Sequence, residues 1–276
     1  MNTIISMPWL TGLFLALMPT GLLVAALPTV RATRHSALGT RHRVRWAAIG
    51  ALLAALAADS SFFLSAQGGL EIARLPLPGL SFDLPLSIAV NGLTLVLATL
   101  VSFVILMIAQ YSVEYLDGDP HQARFFRLLA FTGGFFLLVV VSGNIGVFTL
   151  GISATGFSLN KLLKFYSERP KAIMAAHKKS IFTRTADLSL VAATMLIGQQ
   201  VGSLQFSAIR HFAEQAGKIP LVLQLAAWLI VGAVILKSAH FPFQGWSLLV
   251  DDRRFQRRAG APLHVGRPPY PHFYHR

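Results

Sequence analysis

Seven apolar runs, each long enough to cross a bilayer, fall at roughly 7–29, 46–66, 86–110, 125–143, 145–166, 180–199 and 219–250. They limit the fold more than any motif does. A hydrocarbon core about 30 Å thick needs about 20 mostly apolar residues, because a helix rises about 1.5 Å per residue. The expected fold class is therefore an all-α polytopic membrane protein with seven spans. Charge points the same way: 13% of the 276 residues are charged, against about 25% in an ordinary soluble domain. The net charge of +13 falls between the apolar runs. There it fits anionic lipid head groups, and not the folded basic surface of a nucleic-acid binder.

The distribution of basic residues predicts an orientation. No Lys or Arg precedes the first run, while Arg31, Arg34, Arg41, Arg43 and Arg45 follow it. A cleaved leader has a cationic start, so the first run reads as a retained anchor with its C-terminal end in the cytoplasm. Loops 30–45 and 164–179 are strongly basic, and loops 67–85 and 199–218 are weakly charged. Both termini follow from that alternation, the N-terminus outside and the C-terminus inside. Loop 111–127 fits poorly, since Glu114, Asp117 and Asp119 face only Arg124 and Arg127 in it. A tight turn is expected at Gly143-Asn144. Beyond the transmembrane region 1–250, the stretch 251–276 is rich in Arg, Pro and His without apolar periodicity, and reads as a disordered tail.

Few chemical signatures accompany the spans. With no cysteine there is no disulfide framework and no thiolate metal site. No glycine-rich phosphate loop occurs, and no Ser, His and Asp stand in a catalytic context. His35, His42, His272 and His275 read as surface histidines. No enzyme chemistry and no cofactor or metal site in this chain is expected from these signatures.

The last run carries the most informative polar residues, in LKSAHFPFQGWSLLVDD at 236–252. From Ile219 to Val250 a single helix would extend about 48 Å, well beyond one bilayer core. Pro242 lacks an N–H and clashes with the preceding turn, so a break is expected near 240–245. Broken helices at membrane depth line cavities or lie buried in protein. Two readings of Lys237 follow, a functional cation held within the membrane beside His240, or a residue that snorkels to the surface. Arg184 and Asp187, three apart, share a helix face and can pair. Lys161, near a cytoplasmic end, either snorkels to the surface or is a further ion-translocation candidate, and Asp59 reads as interfacial.

Three blocks of sequence resemble one superfamily. YSVEYLDGDPHQARFF at 111–126, AAHKKSIFTRTAD at 175–187 and LKSAHFPFQGW at 236–246 resemble the antiporter-like subunits of respiratory complex I and of Mrp sodium/proton antiporters. Within it, GFSLNKLLKFYSERPKAIMAAHKK is most similar to the DabB family, membrane subunits of DAB inorganic-carbon accumulation complexes. That resemblance implies a bacterial inner-membrane subunit conducting H+ or Na+. It implies a large soluble zinc partner like a β-type carbonic anhydrase (DabA-like), with the zinc in the partner. It also makes Lys237 the relay lysine of the seventh helix, and Arg184 and Asp187 the sixth-helix pair.

Two departures qualify the likeness. GISATG at 151–156 aligns Ser153 with the fifth-helix glutamate of the relatives, so the usual carboxylate partner of Lys237 is missing. After Trp246 the relatives continue into a PTPVSALLHA-like eighth helix, where this sequence turns to DDRRFQRRAGAPLHV. The resemblance thus implies truncation after the seventh helix, as a reading-frame shift would produce. Two rival functions stay open: a subunit of a complex I-like NADH-quinone oxidoreductase or cation/proton antiporter, and a non-transporting membrane remnant.

Overall fold

The computed structural model describes residues 8–28, 34–64, 68–75, 84–119, 121–163 and 170–238. His240, Pro242 with its expected break, and the 251–276 tail lie outside them. The described residues form α1 (Pro8–Ala26), α2 (Arg34–Leu64), β1 (Gly68–Leu75), β2 (Leu84–Val90), α3 (Gly92–Tyr115), α4 (Gln122–Val141), α5 (Ile145–Leu163), α6 (Pro170–Val201), α7 (Phe206–Gln215) and α8 (Leu221–Lys237). Five of the helices, α1, α2, α3, α4 and α6, are long and apolar enough to cross a membrane, and α8 is a shorter apolar helix. With α5 they make the all-α polytopic array that the apolar runs predict.

The array has two packed regions. In the first, Leu15, Met18 and Leu22 of α1 meet Ala51, Ala55 and Ala58 of α2, Ala98 and Ile105 of α3, and Leu137 of α4. In the second, α6 and α8 touch through alanines, with Ala186, Ala193, Ala226 and Ala233 all fully buried. Small residues let helix backbones approach closely where lipid supplies no hydrophobic drive. The outward faces are apolar: Leu93 is 71% and Trp228 74% exposed in the isolated chain. In water that surface would be an aggregation liability, whereas lipid tails solvate it.

The connections sort to two ends, as alternation requires. At one end the Gly143 N–H donates to the Ser87 carbonyl at 2.7 Å, Ile145 N–H to Leu204 at 2.9 Å and Phe206 N–H to Gly143 at 3.2 Å. These bonds tie β2, the α4–α5 turn and the α6–α7 link together. Asn144, fully buried, caps α5 by accepting from the Val147 N–H at 2.7 Å, and Asn91 caps α3 through the Thr94 N–H. At the other end Arg41 of α2 pairs with Asp117 beyond α3 at 2.9 Å. That contact explains the acidic misfit of loop 111–127, since its Asp117 faces the arginine cluster.

Several expectations need correction. Segments 30–45 and 164–179 are not loops throughout: α2 starts at Arg34 and α6 at Pro170. Their Lys, Arg and Ala residues are good helix formers, so the helices continue past the apolar stretch. Loop 67–85 contains β1 and pairs with β2, which occupies the first residues of the third expected span. Loop 199–218 holds α7, a one-sided surface helix with no fully buried residue.

Candidate functional site

Helices α5, α6 and α8 converge on one ion pair. Lys237, in the last turn of α8, donates from Nζ to Asp187 Oδ1 of α6 at 2.6 Å. Ser153 of α5 donates its hydroxyl to the same oxygen at 2.9 Å. The Lys237 and Asp187 side chains are 17% and 24% exposed, so the pair is sheltered without being sealed. Two charges that would each be costly in lipid are thereby brought to near neutrality. The close alanine packing of α6 on α8 lets a C-terminal lysine reach Asp187.

A glycine lets α5 and α6 approach closely beside the ammonium group. A Cβ on Gly156 would lie 3.8 Å from Lys237 Nζ and 3.1 Å from the Thr183 methyl. Beside it opens a pocket of about 320 Å³ lined by α5 and α6 residues, among them Ser153, Asn160, Ser180, Thr183, Arg184 and Asp187. The spacing explains the lining. On α5, 153, 156, 157 and 160 fall on one face; on α6, 180, 183, 184 and 187 do the same. One turn deeper, the buried Thr149 and Thr194 hydroxyls bond each other at 2.9 Å, so the polar seam continues between the helices.

The structure thus sorts the predicted residues. Lys237 and Asp187 meet, and Ser153 donates to the same carboxylate oxygen. Arg184 does not pair with Asp187, because helical side chains lean toward the N-terminus. Asp187 leans toward Arg184, but Arg184 leans away from it, the weaker order for such a pair. Arg184 lines the pocket instead. Lys161 stands apart, exposed, with its ammonium 4.5 Å from the Phe157 ring centroid. His240 and Pro242 lie outside the described residues. Asn160, Ser180 and Thr183 had no counterpart in the motif reading, although Ser153, Gly156 and Asn160 in GISATGFSLN stand at i, i+3 and i+7 on one face. Among the described residues no group of three His, Cys, Asp or Glu stands together as a metal site.

Two family profiles match the chain. "NADH-Ubiquinone oxidoreductase (complex I), chain 5 N-terminus" covers 77–126, and "NADH:quinone oxidoreductase/Mrp antiporter, TM" covers 142–251, which includes the whole site. Among curated relatives, the probable inorganic carbon transporter subunit DabB2 of Halothiobacillus neapolitanus is 58% identical over 93% of this chain and 46% of its own length. The probable inorganic carbon transporter subunit DabB of Hydrogenovibrio crunogenus is 31% identical over 65% of this chain and 34% of its own. NADH-quinone oxidoreductase subunit L of Escherichia coli is 28% identical over 60% and 27%. An archaeal respiratory complex, the membrane-bound sulfane sulfur reductase, contains a chain of the same fold. Its TM-score is 0.66 at 14% identity, over 87% of this chain and 47% of that one. This chain spans about half the length, or less, of the relatives it matches. The chain belongs to the complex I/Mrp antiporter-like family of membrane subunits, and its similarities within that family include the probable inorganic carbon transporter subunits DabB2 and DabB.

Proposed function

We propose that this chain is part of a membrane subunit that conducts H+ or Na+ to energise uptake of inorganic carbon. It works with a soluble zinc partner of the carbonic-anhydrase type and sits in a bacterial inner membrane. The observation that carries the reading is the Lys237–Asp187–Ser153 cluster beside a polar pocket. An ammonium and a carboxylate on separate helices form a switchable pair, since a proton or cation arriving at Asp187 releases Lys237. The similarity to DabB2 supplies the cargo class. The zinc belongs to the partner in this reading.

The test uses membrane vesicles carrying the subunit with a DabA-like partner, and reads uptake of labelled inorganic carbon under an imposed H+ or Na+ gradient. Uptake should follow one gradient and fall about 100-fold in Lys237→Ala, the lower range for loss of a proton-transfer group. Gradient-independent uptake, or full activity in Lys237→Ala, would overturn the proposal. Likeness to oxidoreductase and antiporter subunits near 30% identity favours a second reading, a complex I-like or cation/proton antiporter role. Cation movement by the same vesicles without inorganic carbon would select it.

A further inference from the structure

We infer that the pocket beside the ion pair binds a small monovalent oxoanion, bicarbonate among them, on the Arg184 guanidinium. Three observations carry this. First, among the described residues the side chains of Arg184, Asn160, Ser180 and Thr183 have no hydrogen-bond or ion-pair partner, yet all four line the pocket. Arg184 is exposed in the isolated chain, so its guanidinium is open to an incoming group, while the Asn160 carbonyl oxygen is buried. A buried acceptor without a partner is costly, so an occupant that bonds it is favoured.

Second, the charge sets the sign of the occupant. The carboxylate in the lining, Asp187, is already committed to Lys237 and Ser153. Arg184 remains as an uncompensated positive charge in the lining. A free metal cation would meet that charge, whereas an anion neutralises it. Third, the chemistry and size select the class. A guanidinium presents a planar fork that matches a planar oxoanion through two parallel bonds. The Ser180 and Thr183 hydroxyls, one turn or less from Arg184 on the same face, supply further donors. The Asn160 carbonyl can accept the proton of a bicarbonate hydroxyl or of an accompanying water. A volume of about 320 Å³ accommodates such an anion with waters.

The inference is independent of conduction, and binding is read on the purified chain. The chain is placed in phosphatidylcholine nanodiscs, and thermal unfolding is followed while choline bicarbonate replaces choline chloride at constant pH and ionic strength. A saturable rise in Tm with bicarbonate is expected. Arg184→Gln should weaken the apparent affinity about tenfold or more, and Arg184→Lys should restore part of it. Asn160→Ala should weaken it to a lesser degree, and Lys218→Gln, exposed between α7 and α8, should leave it unchanged. Equal shifts with chloride and bicarbonate, or an unchanged response in Arg184→Gln, would refute the site. Nanodiscs with phosphatidylglycerol distinguish the source of the oxoanion. If that lipid stabilises the protein and suppresses the bicarbonate response, both through Arg184, the bound group is a lipid phosphate and the bicarbonate assignment fails.

Discussion

A single carboxylate oxygen holds the site together, since Asp187 Oδ1 accepts from both Lys237 and Ser153. Breaking a fully buried pair from one side costs ~3–5 kcal/mol, because the remaining charge is left uncompensated. Here both side chains keep some exposure toward the pocket, so Asp187→Asn should cost less, ~1–3 kcal/mol. Removing both charges together with Asp187→Leu and Lys237→Met should recover most of that loss. Denaturation of the reconstituted variants checks it, and fully additive losses would show that the two residues do not interact. Ser153→Ala removes one neutral donor and should cost ~0.5–1.5 kcal/mol. Its effect should vanish in an Asp187→Leu background, since the hydroxyl acts through that carboxylate.

At the scale of elements, the backbone ties at one end depend on Gly143. A Cβ there would stand 2.7 Å from Ser87 Oγ and 3.0 Å from the Ser87 carbonyl carbon and oxygen. The neighbour is backbone, so the strand must move, and the 2.7 Å Gly143–Ser87 bond goes with it. Gly143→Ala should therefore destabilise by ~1–3 kcal/mol, the usual range for overpacking, and lower Tm accordingly. An unchanged Tm would mean that the hairpin is not fastened to the turn. The sequence made this turn legible through Gly143-Asn144, and made the helices legible through apolar runs of bilayer length. It concealed the hairpin, because the paired β1 and β2 flank a stretch at 76–83 with Pro76, Pro78 and Gly79 that reads as loop. Helix ends at Arg34 and Pro170 were concealed too, since apolarity reports lipid contact and not helicity. In the site, Lys237 and Asp187 were visible as charges in apolar runs. Their pairing was not, because it depends on how closely α6 and α8 approach.

The whole molecule has two polar ends, and the distribution of basic side chains predicts which face of the membrane each should meet. Arg41, Arg43 and Arg45 cluster near the start of α2, where Arg41 meets Asp117 at 2.9 Å and Arg43 donates to the Leu27 carbonyl at 3.3 Å. The acidic residues of the α3–α4 link therefore belong to the arginine-rich end, and do not oppose it. Lys and Arg excess marks the cytoplasmic face, while Asp and Glu count little. The opposite end, with the hairpin, the α4–α5 turn and α7, should face outward. The absence of native cysteine makes single-cysteine labelling decisive here. His121 is exposed near the start of α4 and Lys218 is exposed between α7 and α8. In intact cells an impermeant maleimide should label Lys218→Cys at once, and His121→Cys only after the membrane is opened. The reverse pattern would invert the orientation while keeping the two-ended fold. Labelling of both positions from one side would break the alternation of helices itself, and with it the placement of Lys237 toward the cytoplasmic end of α8.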